Sequence, residues 1–584
     1  MKKIFLMRLG YMWIRITLIF LFLCSQAWAT TYYAATDGSG SDCTIGSPCS
    51  FTTGLGKLTN GQSHTLYLRG GTYSNVTTHY ISNSGQDNNN RHIISGYPGE
   101  TAILDGEWTN TSSWWDAIIS LDGNYLTIQN MQIKRGHGKN LQITGDYCSA
   151  INIDSSYAYN NGMICWGADN CVISGGSSYY DCYERVLGDL DGNGNWASCV
   201  SHIRGTTNST IEDVTVSYCS GESLSMYTYS EGGNTYNTIQ DCTVYHSGPP
   251  AIYIQNCRNC TVQRNLLYMN SALSGSNIGI YMQDEQGSYM NSDNTIVNNM
   301  VKGFDRNFYW GHAQSGDGLI NTVIAGNTFV NAKATSEANM KIDSGSHSGS
   351  SIKNNIFLQE DSTTVMLIAS GSGLGFGYNN YDDSQANVDD DAEGTGDNYS
   401  SDPLLTESGS TADGAMTGDW FKLQSESPCI DDGTTIAALT DDYFGTSRPV
   451  NSVYDMGAYE YETGAPTLTS ATISSDGFTL TLAFSENVNQ GSNYADNEWD
   501  LDCTINGNDI GLTYVSGDGS TSHIYKTSKI IYRSDWDTCN IDHNANDTAD
   551  VMEDDSDNDL AGFEDTAVTN NSGMIRRQHG VTIN

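Results

Sequence analysis

Two runs of oxygen-bearing residues carry the spacing of a cation-binding loop. Asp189-Leu-Asp191-Gly-Asn193-Gly194 places side-chain oxygens at positions 1, 3 and 5 and glycine at 6, matching the first half of an EF-hand calcium loop. Ca2+ needs several oxygens converging on one point, and the glycine permits the turn that folds them inward. Position 12 is Val200, so a carboxylate has to come from elsewhere, and Glu184 is the nearest. A second run, Asp542-His-Asn544-Ala-Asn546 continuing to Asp550 and Glu553, fills positions 1, 3, 5, 9 and 12 but has Asp547 where glycine is normal. The bland alternatives are a polar Asx-Gly turn for the first and an acidic, solvated loop for the second.

The other chemistry-bearing residues are titratable and aromatic. Lys134, Arg135, Glu222 and His246 are the candidate catalytic groups, with Arg204 and His202 approaching from the far side of the Asp189 insertion. Tyr218, Tyr245, Tyr268 and Lys302, with Arg204, are the candidate binding residues. Aromatic faces stack on sugar rings and cations meet uronate carboxylates. In β-elimination a base takes the proton beside a carboxylate whose charge a cation neutralises. Each of these residues taken alone also reads as a surface side chain beside a turn, and His137 between two glycines reads only as part of one.

What must position them is a repeat. An aliphatic residue, two variable residues, often asparagine, and a further apolar pair recur as Val262-Gln-Arg-Asn265-Leu-Leu267, Ile296-Val-Asn-Asn299-Met-Val301, Ile324-Ala-Gly-Asn327-Thr-Phe329 and Ile352-Lys-Asn-Asn355-Ile-Phe357. Looser copies begin at Ile128, Ile151, Ile173, Ile211 and Ile239. The successive steps are 23, 22, 38, 28, 23, 34, 28 and 28 residues, a coil of about 22 residues with insertions. The largest step, between Ile173 and Ile211, holds the Asp189 loop. Apolar and polar residues alternate as in strands, and a second short strand follows most anchors, such as Leu224-Ser-Met226 and Met340-Lys-Ile342. One coil cannot bury its own aliphatic side, but coils stacked at strand spacing can. Aligning the anchors puts Lys134 in one row with Ser217, Tyr245, Tyr268 and Lys302, and Arg135 in the next with Tyr218, His246 and Met269. Asn265, Asn299, Asn327 and Asn355 fall in one register and are expected to form an amide ladder.

With its opening Thr31-Tyr-Tyr-Ala-Ala-Thr-Asp37-Gly and the later Leu66-Tyr-Leu-Arg69-Gly-Gly-Thr-Tyr73, residues 31 to 375 resemble secreted right-handed parallel β-helix proteins of the pectate-lyase-like superfamily. That resemblance implies the fold and leaves the chemistry open, since the superfamily includes lyases, hydrolases, epimerases and non-catalytic proteins. Gly136-His-Gly138 lacks the Asp-Asp partners of a polygalacturonase. Asp402-Pro-Leu-Leu, Phe421 to Asp431, Arg448-Pro449 and Asp455 to Tyr461 are similar to the C-terminal block of choice-of-anchor Q surface proteins. It is read as the cap over the last coil. After Ala465-Pro466, alternating segments such as Gly477 to Phe484 resemble bacterial immunoglobulin-like, cadherin-like sandwiches. The expected organisation is all-β: a signal peptide over 1–29, a β-helix over 30–375, its cap over 376–464 and a sandwich over 465–584.

A basic start, a short apolar core and Ala27-Trp-Ala29 predict secretion. The chain carries 68 acidic against 26 basic residues, a net charge of −42, which repels nucleic-acid phosphates and suits divalent cations. Fifteen cysteines in an oxidising compartment predict disulfides, with Cys43–Cys49 and Cys503–Cys539 the first pairs. Cys257-Arg-Asn-Cys260 stands alone and suggests buried thiols or a disulfide before a metal. The reading is an extracellular monomer that binds an acidic polysaccharide and cleaves it by calcium-assisted β-elimination. A non-catalytic adhesive protein and a structural spacer are the alternatives.

Overall fold

A computed structural model of the chain describes residues 29–584 apart from 75–76, 111–112, 114, 183–196, 229–231, 271–276, 286, 288, 334–337, 360–365, 369–371, 383–387, 451, 463–467, 491–498, 504–509, 511, 517–519, 530, 532–538, 544–551, 555–562 and 571–584. The chain forms two compact units, Met1–Pro449 with Val453–Glu460, and Val450–Ser452 with Tyr461–Asn584.

The first unit is a right-handed parallel β-helix with three faces. Among the described residues, faces one and two together form a 22-stranded parallel sheet, and face three forms an 11-stranded one. Face one includes Thr210–Glu212, Thr238–Gln240, Thr261–Gln263 and Thr295–Val297; face two includes Thr215–Ser217, Thr243–Tyr245, Leu266–Tyr268 and Met300–Lys302. Leu126–Lys134, Ser149–Ser156 and Val172–Tyr179 run through both. Face three includes Lys139–Ile143, Met163–Trp166, Ser198–Ile203, Glu222–Tyr227 and Ile252–Gln255.

The anchors stack as one buried column: Ile128, Ile173, Ile211, Ile239, Val262, Ile296, Ile324 and Ile352 all lie in the core. One anchor differs from expectation. Ala150, not Ile151, pairs with Ile128 and Ile173, while Ile151 pairs with Gln129 and Ser174. The side-chain period of a strand is two, so a shift of one residue turns Ile151 outward, and the small Ala150 fills the column.

The corner between faces one and two is a single left-handed residue: Asp213, Asp241, Arg264, Asn298, Gly326 and Asn354 all have φ between 52° and 61°. Asn, Asp and Gly tolerate this conformation best, which explains their frequency there. The next residue forms the amide ladder. Asn265 Nδ2 donates to Asn299 Oδ1 at 2.9 Å, Asn299 to Asn327 at 2.9 Å and Asn327 to Asn355 at 3.0 Å. Each Oδ1 also accepts the backbone N–H one rung earlier, as Asn299 does from Asn265 at 3.1 Å. The ladder extends past the repeat to Asn379 and ends on Asp397.

The segment after residue 375 does two things. A ring stack running Phe329, Phe357, Tyr381 and Tyr399, at 5.4, 5.3 and 5.3 Å, carries the core into residues 388–399, where Val388 and Ala392 are buried. From 402 onward the chain turns back along the flank of the coils. Arg264 pairs with Asp441 at 3.0 Å, Asn354 Nδ2 donates to Thr434 O at 2.8 Å, and Ala458 N donates to Thr328 Oγ1 at 3.0 Å. The expected cap is therefore mostly a side strap. Its own end is folded around Arg448, which is buried against Glu460 at 3.0 Å and donates to the carbonyls of Asp455 and Gly457.

The second unit is a small, largely antiparallel β-sandwich around Ile473, Leu480, Leu482, Phe484, Leu501, Tyr525 and Ile541. Disulfides join Cys43–Cys49, Cys165–Cys171, Cys199–Cys219 and Cys503–Cys539. Cys257 and Cys260 are buried thiols.

Candidate functional site

The end of face two is where the strand register collects the candidate residues. Lys134 pairs with Ser156, Ser156 with Tyr179, Tyr179 with Ser217, Ser217 with Tyr245, Tyr245 with Tyr268 and Tyr268 with Lys302. The residue that follows on successive rungs is Arg135, Tyr157, Tyr180, Tyr218 and His246, and all five have φ between 44° and 57°. Further along the axis, Gly303 and Asn331 occupy left-handed positions after the same face, at φ 80° and 50°. Bulky residues in this conformation cost of order 1 kcal/mol each, a cost also borne at other coil corners by Tyr125, Tyr147 and Tyr236.

The side chains after face two form a strip of rings. Tyr157 and Tyr180 stack at 5.6 Å, Tyr180 and Tyr218 at 4.9 Å, and Tyr218 lies 4.5 Å from the His246 ring. Tyr179, on the adjacent row, meets Tyr180 edge-on at 4.7 Å and is 39% exposed. Trp108 closes one end, donating from Nε1 to Tyr157 O at 2.9 Å with the Arg135 guanidinium 5.3 Å from its ring centre. Asp105 anchors the cations there: Arg135 Nε donates to it at 2.8 Å, its Nη2 makes a second bond, and Lys134 Nζ lies 3.5 Å away. Burial alone raises the Asp105 carboxyl, but the Arg135 bond and charges outweigh it and hold it below its ordinary value.

At the other end, His246 Nδ1 lies 2.8 Å from Asp413 Oδ2, a carboxylate delivered by the side strap. Asn270 Nδ2 is 3.2 Å from the second Asp413 oxygen, and Asn270, Asp413 and Ser410 to Ala412 line an open cavity of about 550 Å³. A histidine oriented by a carboxylate is the arrangement of a general base. Nothing near His246 in the sequence announces Asp413, because the strap returns only after the coils are complete. Lys333 was also missed. It donates to Met269 O at 2.7 Å, and its ammonium, held down mainly by burial, feels Lys302 and Asp413.

The remaining candidates do not converge here. Glu222, which the sequence places near the insertion, is buried at the start of a face-three strand, where its N–H donates to Ala197 O and its carboxylate accepts the Ser198 hydroxyl, away from the strip on face two. Tyr268 is covered by the strap, its hydroxyl accepting Gly414 N–H at 2.8 Å, and Lys302 lies 4.2 Å from the Trp420 ring centre. Tyr245 stacks on Tyr268 at 5.6 Å. His202 points into the core, where burial pushes it down to about 3. Arg204 belongs to face three. Lys134 and Arg135 are four rungs from His246, about 19 Å at roughly 4.8 Å per rung, so they cannot act on the same sugar unit. His137 stacks on Tyr159 at 5.5 Å in a turn.

Of the calcium candidates, Glu184, Asp189, Asp191 and Asn193 lie outside the described residues, as do Asn544, Asn546 and Asp550. Asp542 and Glu553 fall on strands Cys539–His543 and Met552–Asp554, opposite Asp500 and Asn489.

No family model matches the chain, and no match is found among curated proteins. Its likenesses are to solved structures. It is similar to pectate lyase Pel9A at 14% identity and a TM-score of 0.44, over 75% of this chain and 98% of that one. It is similar to XylC in complex with xylose at 8% and 0.44, over 74% and 98%, and to a rhamnogalacturonan lyase at 12% and 0.35, over 68% and 97%. These likenesses concern the fold.

Proposed function

We propose that this protein is an extracellular carbohydrate-active enzyme that binds an acidic polysaccharide along the strip from Trp108 to His246 and cleaves it by β-elimination. The observation that carries the reading is the run of five left-handed residues, Arg135, Tyr157, Tyr180, Tyr218 and His246, whose strained backbones present stacked rings and end on the His246–Asp413 pair. Stacked rings offer apolar platforms to sugar faces, and Arg135 and Lys134 offer charge to uronate carboxylates farther along the chain.

In the reaction His246 takes the proton on the carbon beside the uronate carboxylate. The electron pair forms the carbon–carbon double bond as the carbon–oxygen bond at the β carbon breaks, and the leaving oxygen takes a proton from solvent. Asp413 holds the imidazole and stabilises its charge once protonated. Lys333 is the cation nearest this end of the strip, with Lys302 beside it under the strap. Ca2+ held by Asp189, Asp191, Asn193 and Glu184 would supply further neutralisation of the carboxylate, and the Asp542 loop a structural ion. Secretion through the 1–29 segment and a monomeric state complete the proposal; no helix among the described residues is long and apolar enough to cross a membrane.

The test is incubation with pectate, alginate and chondroitin, with and without a chelator, following the ultraviolet absorbance of the unsaturated uronate. Absence of product on every acidic glycan sinks the lyase reading. Retained binding without product leaves the adhesive alternative in its place.

A further inference from the structure

Face three carries a second group of rings that the strip does not use. Trp115, Gln142, Trp166 and Arg204 line an open pocket of about 350 Å³. Gln142 pairs with Ser120 and Ile164 on the outward row of this face, and Trp166 ends its strand opposite Ile203. Trp115 meets Trp166 edge-on at 6.1 Å and is 64% exposed, a large apolar surface left in water. The Arg204 guanidinium carbon lies 4.4 Å from the Trp166 ring centre.

A second cation sits behind the rings. Lys139 is buried, donates to the Trp115 carbonyl, and has its ammonium 5.2 Å and 5.6 Å from the Trp166 and Trp115 ring centres. Burial pushes it down to about 8, with Asp116 opposing and Arg204 adding to the shift, so it remains mostly charged at neutral pH. None of the four lining residues is acidic. Asp116, the acid that acts on Lys139, accepts the Tyr80 hydroxyl at 2.8 Å. In a chain with 68 acidic and 26 basic residues, Arg204 and Lys139 bring two positive charges to two indoles, which among the described residues favours an anion at this pocket. Indole faces select the C–H face of a pyranose, guanidinium pairs with a carboxylate or sulfate, and a carboxamide bonds hydroxyls.

We propose that this pocket is a saccharide subsite separate from the strip and selective for an anionic sugar unit. The sugar face lies on Trp115, its acidic group on Arg204 and its hydroxyls on Gln142. The assignment stands whether or not any bond is cleaved at His246.

The full chain labelled with 5-fluorotryptophan, its resonances assigned through Trp115→Phe and Trp166→Phe, reports this pocket directly. The probes are an oligogalacturonate, a sulfated galactan oligosaccharide and a neutral galacto-oligosaccharide. The expected result is saturable shifts of Trp115 and Trp166 with one or both anionic probes, at affinities at least about tenfold above the neutral one. Arg204→Gln should erase that preference, and Tyr180→Asn, on the strip, should leave the shifts intact. The proposal is overturned by shifts absent with both anionic probes, equal for neutral and anionic probes, unchanged in Arg204→Gln, or lost in Tyr180→Asn. Loss of cleavage with these shifts retained counts against the lyase reading alone.

Discussion

Asp413 Oδ2 stands 2.8 Å from His246 Nδ1 although the two belong to different layers of the first unit, one to the coils and one to the strap laid along them. At the far end of the strip a coil residue, Asp105, supplies the carboxylate that holds Arg135 and Lys134, whereas the carboxylate at His246 comes from outside the coils. The strap supplies it. It also covers Tyr268 and Lys302, and so sets where the open strip stops.

Asp413→Asn keeps the size of the side chain and removes its charge. The imidazole is then free to adopt the wrong tautomer, and the cation formed on proton abstraction has no counter-charge. Turnover should fall about 10²- to 10⁴-fold with KM little changed, read from the rate of unsaturated product on whichever acidic glycan the enzyme cleaves. An equal loss in KM with kcat preserved would make Asp413 a binding residue.

The end of the strap is built around a buried ion pair. Arg448 and Glu460 have side-chain exposures of 0% and 1%, and Arg448 also donates to two backbone carbonyls at 3.0 and 2.7 Å. Glu460→Gln keeps the shape and removes the carboxylate paired directly with the guanidinium, leaving buried Asp442 as the remaining nearby counter-charge, which should cost about 3 kcal/mol in denaturant unfolding of the first unit. Because the strap carries Asp413, the same variant should lose activity at temperatures below its unfolding midpoint. Full activity up to that midpoint would uncouple strap and site.

Much of this was legible in the sequence. The column of aliphatic anchors, the asparagine ladder and the row joining Lys134 to Lys302 follow from one fixed spacing, because parallel stacking copies register from rung to rung. Ile151 misled by one residue because an aliphatic side chain outweighed the smaller Ala150 in the pattern. Glu222 lies off the strip for a different reason: the turn Cys219–Gly221 carries the chain onto face three before it. Asp413, Lys333 and the Trp115–Trp166 pocket depend on contacts between segments with no common period, and alignment of coils cannot find them.

Asp284 gives a pH signature. Burial pushes its carboxyl up to about 7, Asp317 adds to the shift, and the Asn291 N–H, donating to Oδ1 at 2.8 Å, opposes it. A carboxyl raised on folding binds its proton more tightly in the native state, so its contribution is complete below about pH 4 and is lost as pH rises to about 7. Asp284→Asn imitates the neutral acid and should flatten that part of the stability profile, leaving the variant the more stable protein above pH 7. A wild-type profile that rises steadily from pH 4 to 7, with the variant parallel to it, would show that Asp284 titrates normally.

Tyr180 separates a structural from a functional origin for the strip. Its φ of 52° is uncomfortable for tyrosine and easy for asparagine, the residue at Asn331 after the same face. Its ring stacks on Tyr157 and Tyr218, worth about 0.5–1.5 kcal/mol, and relief of the backbone offsets a comparable amount. Tyr180→Asn should therefore unfold within about 1 kcal/mol of the parent while binding acidic oligosaccharide up to about tenfold more weakly. If the rings were there only to hold adjacent coils together, the opposite pattern would appear, with stability reduced and binding unchanged. Calorimetric titration beside thermal unfolding of the same preparation distinguishes the two, because the strain argument fixes the sign of one measurement and the stacking argument the sign of the other.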